Sequence, residues 1–211
     1  MKQKRIVAMA AVLSLLIAGV SKNALAEGGG RAPLEASVMG GFHVLNENDT
    51  AVPDRFVNVP VVASVGYRLT SILAVEGEFG WMIPVKQSVD AGSGQTQELK
   101  NPDILTYQAN LRADWAASPT WSPYLVAGVG ALTALSNTDP DRMPQLDRSE
   151  TMFALNFGAG ATYDFSPRWA LRGDFREMAA FPSHDAHGLS DASGADAIWM
   201  ERGTMGLLYR F

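Results

Sequence analysis

The chain has 211 residues, with 22 acidic against 17 basic side chains, three histidines and no cysteine. That length suits a single domain, and the lack of cysteine excludes disulfides, thiolate metal sites, a cysteine nucleophile and a lipidated N-terminal cysteine. The net charge of −5, with no basic cluster, argues against a nucleic-acid partner.

The first element is an export signal. Lys2, Lys4 and Arg5 precede an apolar run from Ile6 to Val20, and the small-residue triplet Ala24-Leu25-Ala26 follows. This is the order of a secretory signal peptide. A transmembrane anchor is the alternative, but the run falls short of the roughly 20 apolar residues a spanning helix needs. The expected division is therefore 1–26 signal peptide and 27–211 mature domain. Cleavage after Ala26 also removes four basic residues, leaving 13 basic against 22 acidic side chains, a net of −9. No later segment is apolar for long enough to form a membrane helix.

Strand-like segments follow in chain order at about 33–44, 59–69, 72–84, 102–115, 121–135, 151–165, 168–178 and 197–211. The clearest lies between Asp103 and Trp115. There Leu105, Tyr107, Ala109, Leu111, Ala113 and Trp115 alternate with Ile104, Thr106, Gln108, Asn110, Arg112 and Asp114. A period of two makes one face apolar and the other polar, as a strand requires and a helix forbids. Val75, Gly77, Phe79, Trp81 and Ile83 oppose Glu76 and Glu78 in the same way, and Trp169, Leu171, Gly173 and Phe175 oppose Arg172, Asp174 and Arg176. The pattern blurs at Gly40-Gly41 and at Gly128 and Gly130, where glycine inside a strand points to bulges or bends.

The connections alternate strictly. Thr70-Ser71, Ala116 to Thr120 and Ser166-Pro167 are short, whereas 45–58, 85–101, 136–150 and 179–196 are long and polar. Eight strands joined by four long loops and three short turns match an antiparallel up-and-down barrel with both termini at the short-turn end.

Alternation alone leaves open whether the apolar face points into a soluble barrel or out into lipid. Tyr67, Trp115, Trp121, Phe165, Trp169 and Tyr209 gather at the short-turn rim, and Trp81, Phe153 and Trp199 lie toward the long loops. Two aromatic girdles flanking an apolar band are what bilayer interfaces select. The chain then ends with Thr204, Gly206, Tyr209 and a terminal Phe211. This ending resembles the C-terminal signal by which outer-membrane barrels reach their insertion machinery. The mature chain as a whole resembles the OmpA-type eight-stranded outer-membrane β-barrels, in pattern rather than in chemical motif. The resemblance implies an all-β, eight-stranded antiparallel transmembrane β-barrel in the outer membrane of a Gram-negative bacterium, exported with its signal peptide cleaved. It further implies a monomer that meets outer-membrane lipids and lipopolysaccharide and that engages the barrel assembly machinery through its last strand. Because the sequence ends with that strand, it is closer to the OmpX-like plan than to OmpA, which continues into a peptidoglycan-binding domain.

On this register Met205, Leu207, Tyr209 and Phe211 face lipid, while Arg202, Thr204, Leu208 and Arg210 face the lumen. Arginine at 208 should then be tolerated better than arginine at 207, unless the lumen is too tightly filled to admit it. Glu76, Glu78, Arg112, Asp114, Asp164, Arg172, Asp174, Arg176 and Arg202 also turn inward. An eight-stranded barrel is just wide enough for side chains to fill, so these charges form a paired plug or, alternatively, line a narrow path for small solutes or ions.

His43 ends the first strand, and His184 and His187 sit in the last long loop within Ser183-His184-Asp185-Ala186-His187. Imidazole and carboxylate so close together invite a metal or catalytic reading. The neighbouring Pro182, Gly188, Ser190 and Ser193 have the composition of a solvated loop, and that reading is preferred. Asp139-Pro140-Asp141, Asp147 and Glu150 read as loop hydration, with a divalent-cation role as the alternative. No catalytic residue, cofactor or metal ligand is assigned. The expected function is a structural or interaction scaffold displaying surface loops, with a narrow diffusion channel second and an outer-membrane enzyme of the lipid A deacylase or protease kind third.

Overall fold

A computed structural model describes residues 33–46, 55–90, 96–139, 141, 146–182 and 197–211. The signal segment, His184 and His187 lie outside the described residues. Among those residues the strands are β1 (Leu34–Asn46), β2 (Arg55–Arg68), β3 (Leu73–Pro84), β4 (Gln87–Asp90), β5 (Thr96–Leu99), β6 (Ile104–Asp114), β7 (Trp121–Ala134), β8 (Glu150–Asp164), β9 (Trp169–Phe181) and β10 (Ile198–Arg210). Eight of them close into one antiparallel barrel in the order β1-β10-β9-β8-β7-β6-β3-β2. The remaining two, β4 and β5, form a separate hairpin.

All eight strands expected from the sequence are present. The second begins at Arg55 rather than near residue 59, and the first and seventh run on to Asn46 and Phe181. Hydrogen bonding to neighbours carries these strands past the point where polar composition suggested loop. The long connection 85–101 is also not all loop, because it folds back as the β4–β5 hairpin. Its Gln, Ser, Thr and Glu side chains lack the apolar alternation that announces a half-buried strand.

Each short turn closes in the same way. Thr70 Oγ1 accepts from Leu73 N at 2.9 Å, Ser118 Oγ from Trp121 N at 3.0 Å, and Ser166 Oγ from Trp169 N at 2.9 Å. A hydroxyl that bonds the backbone three residues on stabilises a tight turn and competes with continued strand. At the other end Lys100 and Lys86 both reach Asp141, at 3.5 and 3.6 Å, tying two long loops together. Desolvation would raise the pKa of Asp141, but Lys100 and then Lys86 together outweigh it and hold the carboxyl below its ordinary value. This residue of the acidic stretch, expected to serve only hydration, is thus ion-paired.

The outer wall is apolar. Val38, Val65, Val129, Leu171, Phe175, Met205 and Leu207 are all exposed, and a continuous apolar surface of this extent marks contact with lipid. Tyr67, Trp121, Phe165, Trp169 and Phe211 ring the short-turn end, and Trp81, Phe153 and Phe181 stand toward the loops. The girdles expected from the sequence are therefore present but not exclusive. Phe42 and Phe175 occupy mid-height positions, where Phe42 lies across Gly203 so closely that a Cβ there would strike its ring.

Candidate functional site

The candidate site is the barrel interior, and its composition follows from alternation. Side chains at every second position of a strand share a face, so β3 sends in Glu76 and Glu78, β6 sends Gln108, Asn110, Arg112 and Asp114, β9 sends Arg172, Asp174 and Arg176, and β10 sends Arg202, Thr204 and Arg210. All of these are buried. Glycines on β7 and β8 make room for them. A Cβ at Gly160 would fall on the Tyr124 ring, one at Gly158 would press the Arg176 side chain, and one at Gly128 would meet Asn110 and Asn156. Of the glycines that blurred the sequence pattern of the fifth strand, Gly128 leaves room for Asn110 and Asn156 on the two neighbouring strands, and Gly130 lies against the backbone of Tyr107 and Gln108.

These charges form one connected network. Glu76 sits at its centre, bonded by Arg112 at 3.2 Å, by Arg172 at 3.1 Å through a second nitrogen, and by Arg176 at 3.3 Å. Toward the turns, Arg112 also binds Asp114 at 3.0 Å and Glu35, Arg68 binds Asp114 at 3.0 Å, and Arg210 binds Asp164 at 2.8 Å. Toward the loops, Arg176 binds Asp174 at 3.0 Å and Glu78 at 3.1 Å, and Arg202 binds Glu78 at 2.8 Å. The network joins six arginines, at 68, 112, 172, 176, 202 and 210, to six carboxylates, at 35, 76, 78, 114, 164 and 174. Its formal charge is therefore balanced, as burial of so many ions demands.

Tyr124 locks the middle of the network. Its hydroxyl accepts from Arg172 Nε at 2.9 Å and donates to Asp174 at 3.0 Å, while the Arg112 and Arg172 guanidiniums lie 5.3 and 5.1 Å from its ring centroid. Those distances fall within the range of cation–π attraction. Thr204 adds a bond to Asp174 at 3.0 Å, and Asn156 donates to both Gln108 and Asn110 at 2.9 Å.

All nine inward charges expected from the sequence lie in this network. Sequence reasoning missed Glu35, Arg68 and Tyr124, and it left His43 at a strand end. The structure puts His43 fully inside, bonded to Asn58 at 3.0 Å. A signal was available, since Glu35, Ser37, Met39 and His43 share a parity opposite to Ala36, Val38 and Phe42. Sequence reasoning also missed an apolar layer closing the loop end of the lumen, built from Leu45, Met82, Ile104, Leu132, Met152, Ala154, Met178, Ala180 and Met200. Among the described residues, no group of three His, Asp or Glu side chains could hold a metal ion.

The arrangement places paired ions toward the turns and a methionine-rich apolar layer toward the loops. Residues 9–211 match a family model described as the outer membrane protein beta-barrel domain. No curated protein matches the sequence. In structure the chain is similar to Neisserial surface protein A, at 13% identity and TM-score 0.57, covering 86% of this chain and 99% of that one. It is also similar to the N-terminal β-barrel domain of Pseudomonas aeruginosa OprF, at 14% identity and TM-score 0.50, covering 84% and 96%. At such identities the likeness concerns the fold.

Proposed function

Since the chain belongs to the outer membrane protein beta-barrel domain family, we propose that it serves as a rigid, non-conducting scaffold that presents its long loops for contacts at the cell surface. The observation that carries this reading is the unbroken twelve-membered ion network across the lumen, capped by an apolar layer. Passage of an ion would require separating buried pairs and wetting the cap, and both oppose conduction. The β4–β5 hairpin and the Lys100–Asp141 tie support the display role, because they order chain beyond the barrel. The same reading has a signal peptide removed after Ala26 and a monomer in contact with lipopolysaccharide. The last strand, with its terminal Phe211, engages the assembly machinery.

Planar-bilayer recording tests the scaffold directly. Refolded protein is expected to give no sustained ohmic conductance, and stable single-channel steps in most insertions would make it a diffusion channel instead.

Topology is tested by single cysteines, which the native chain lacks. On intact cells an impermeant maleimide is expected to label Ser88→Cys in the β4–β5 hairpin and to leave Ala117→Cys in the β6–β7 turn unlabelled until the cells are broken. The opposite pattern would invert the barrel.

A further inference from the structure

The turn end of the barrel carries the same aromatic pair twice on its outer wall. Trp169 faces Tyr209 in register on β9 and β10, and Trp121 faces Tyr163 on β7 and β8. The two pairs differ in the residue before the tryptophan, which is Arg168 in the first and Thr120 in the second. Among the described residues Arg168 is the one exposed charged side chain at this end. Its neighbours Arg68, Asp114, Asp164 and Arg210 are instead drawn into the lumen, where they pair with one another.

The surroundings of Arg168 suit an anion. Its Nη1 donates to the Tyr209 hydroxyl at 3.5 Å, a loose bond, and no carboxylate of the described residues lies within ion-pair distance of it. The rest of the guanidinium keeps its donors, and a tyrosine hydroxyl that accepts still has its own proton to donate. Trp169 lies edge-on to the Tyr209 ring at 4.8 Å and Phe211 at 5.1 Å, so the phenol is held from two sides with its hydroxyl beside the arginine. One step further into the wall, Leu171 and Leu207 pair in register and both are exposed. A cation and rings above an aliphatic strip reproduce the polarity profile of a membrane interface. The planar guanidinium also matches the oxygens of a phosphate two at a time.

We propose that this edge of β9 and β10 docks an anionic glycerophospholipid. Its phosphodiester is held by Arg168 and the Tyr209 hydroxyl, and an acyl chain lies along Leu171 and Leu207. The proposal rests on the reading that places this wall in lipid, and it goes further by assigning one lipid class to one position. At the Trp121–Tyr163 pair a lipid meets the same rings without the cation, so that pair is the internal control.

The test uses the full mature chain refolded into phosphatidylcholine vesicles, with a minor share of either phosphatidylglycerol or phosphatidylcholine brominated in its acyl chains. The chain has five tryptophans. Trp81→Phe, Trp115→Phe, Trp121→Phe and Trp199→Phe together leave Trp169 as the reporter, and exchanging Trp121→Phe for Trp169→Phe leaves Trp121. Brominated phosphatidylglycerol is expected to associate at Trp169 about fivefold more strongly than brominated phosphatidylcholine, the ratio that about 1 kcal/mol per basic residue at a headgroup surface corresponds to. At Trp121 the two lipids should quench alike. Arg168→Gln, at an exposed position whose folding is checked by heat-modifiable migration, should bring the ratio at Trp169 down to that at Trp121. An equal ratio at the two tryptophans, or a preference that survives Arg168→Gln, would overturn the proposal. Failure of either lipid to quench either tryptophan would overturn the membrane reading of this rim, and the proposal with it.

Discussion

Replacing Glu76 by leucine is expected to destabilise the folded barrel by about 3–5 kcal/mol, the cost of removing one partner from a buried ion pair. The figure belongs at the upper end because one carboxylate serves Arg112, Arg172 and Arg176 together. Its loss leaves a network with six arginines and five carboxylates, with the apolar layer on its loop side. Glu76→Gln keeps one acceptor oxygen and loses the charge and the second acceptor, so it should fall between wild type and leucine. Urea titration of refolding in lipid vesicles, followed by tryptophan fluorescence and heat-modifiable gel migration, measures the difference. A loss under about 1 kcal/mol, the usual worth of an exposed pair, would show that the network does not hold the barrel together.

Arginine placed on the outer wall should cost according to depth. Phe175 is six residues from Trp169 at the turn rim and six from Phe181 toward the loops, which puts it near the bilayer midplane. Phe175→Arg is therefore expected to cost about 2–4 kcal/mol, whereas Leu207→Arg, two residues from Tyr209, should cost about 0–1 kcal/mol. For Leu208→Arg the structure reverses the expectation from sequence. Leu208 does face inward, but it is almost fully buried beside a network whose charges already balance. A seventh arginine there is both an overpacked group and an unpaired charge, so 208 should tolerate it less well than 207. The three variants are compared by the same refolding titration. Equal costs at 175 and 207 would remove the membrane depth assigned to this wall.

The sequence by itself determined the wall of the barrel. Alternation is a local property: whether Leu207 or Leu208 faces lipid follows from backbone pleating and a charge pattern within one strand, and the observed facing agrees along β3, β6, β9 and β10. The alternating long and short connections settled the strand count in the same local way. Only the tertiary structure decided what the inside does. Arg112 meets Glu35, 77 residues away, and Arg202 meets Glu78, 124 residues away. Such partners depend on strand stagger and closure, which bring facing walls to particular heights and leave no trace within a strand. The methionine layer was hidden for a related reason. Met82, Met152, Met178 and Met200 stand on four different strands far apart in sequence, and they form a cap only when the sheet closes and sets them at one level.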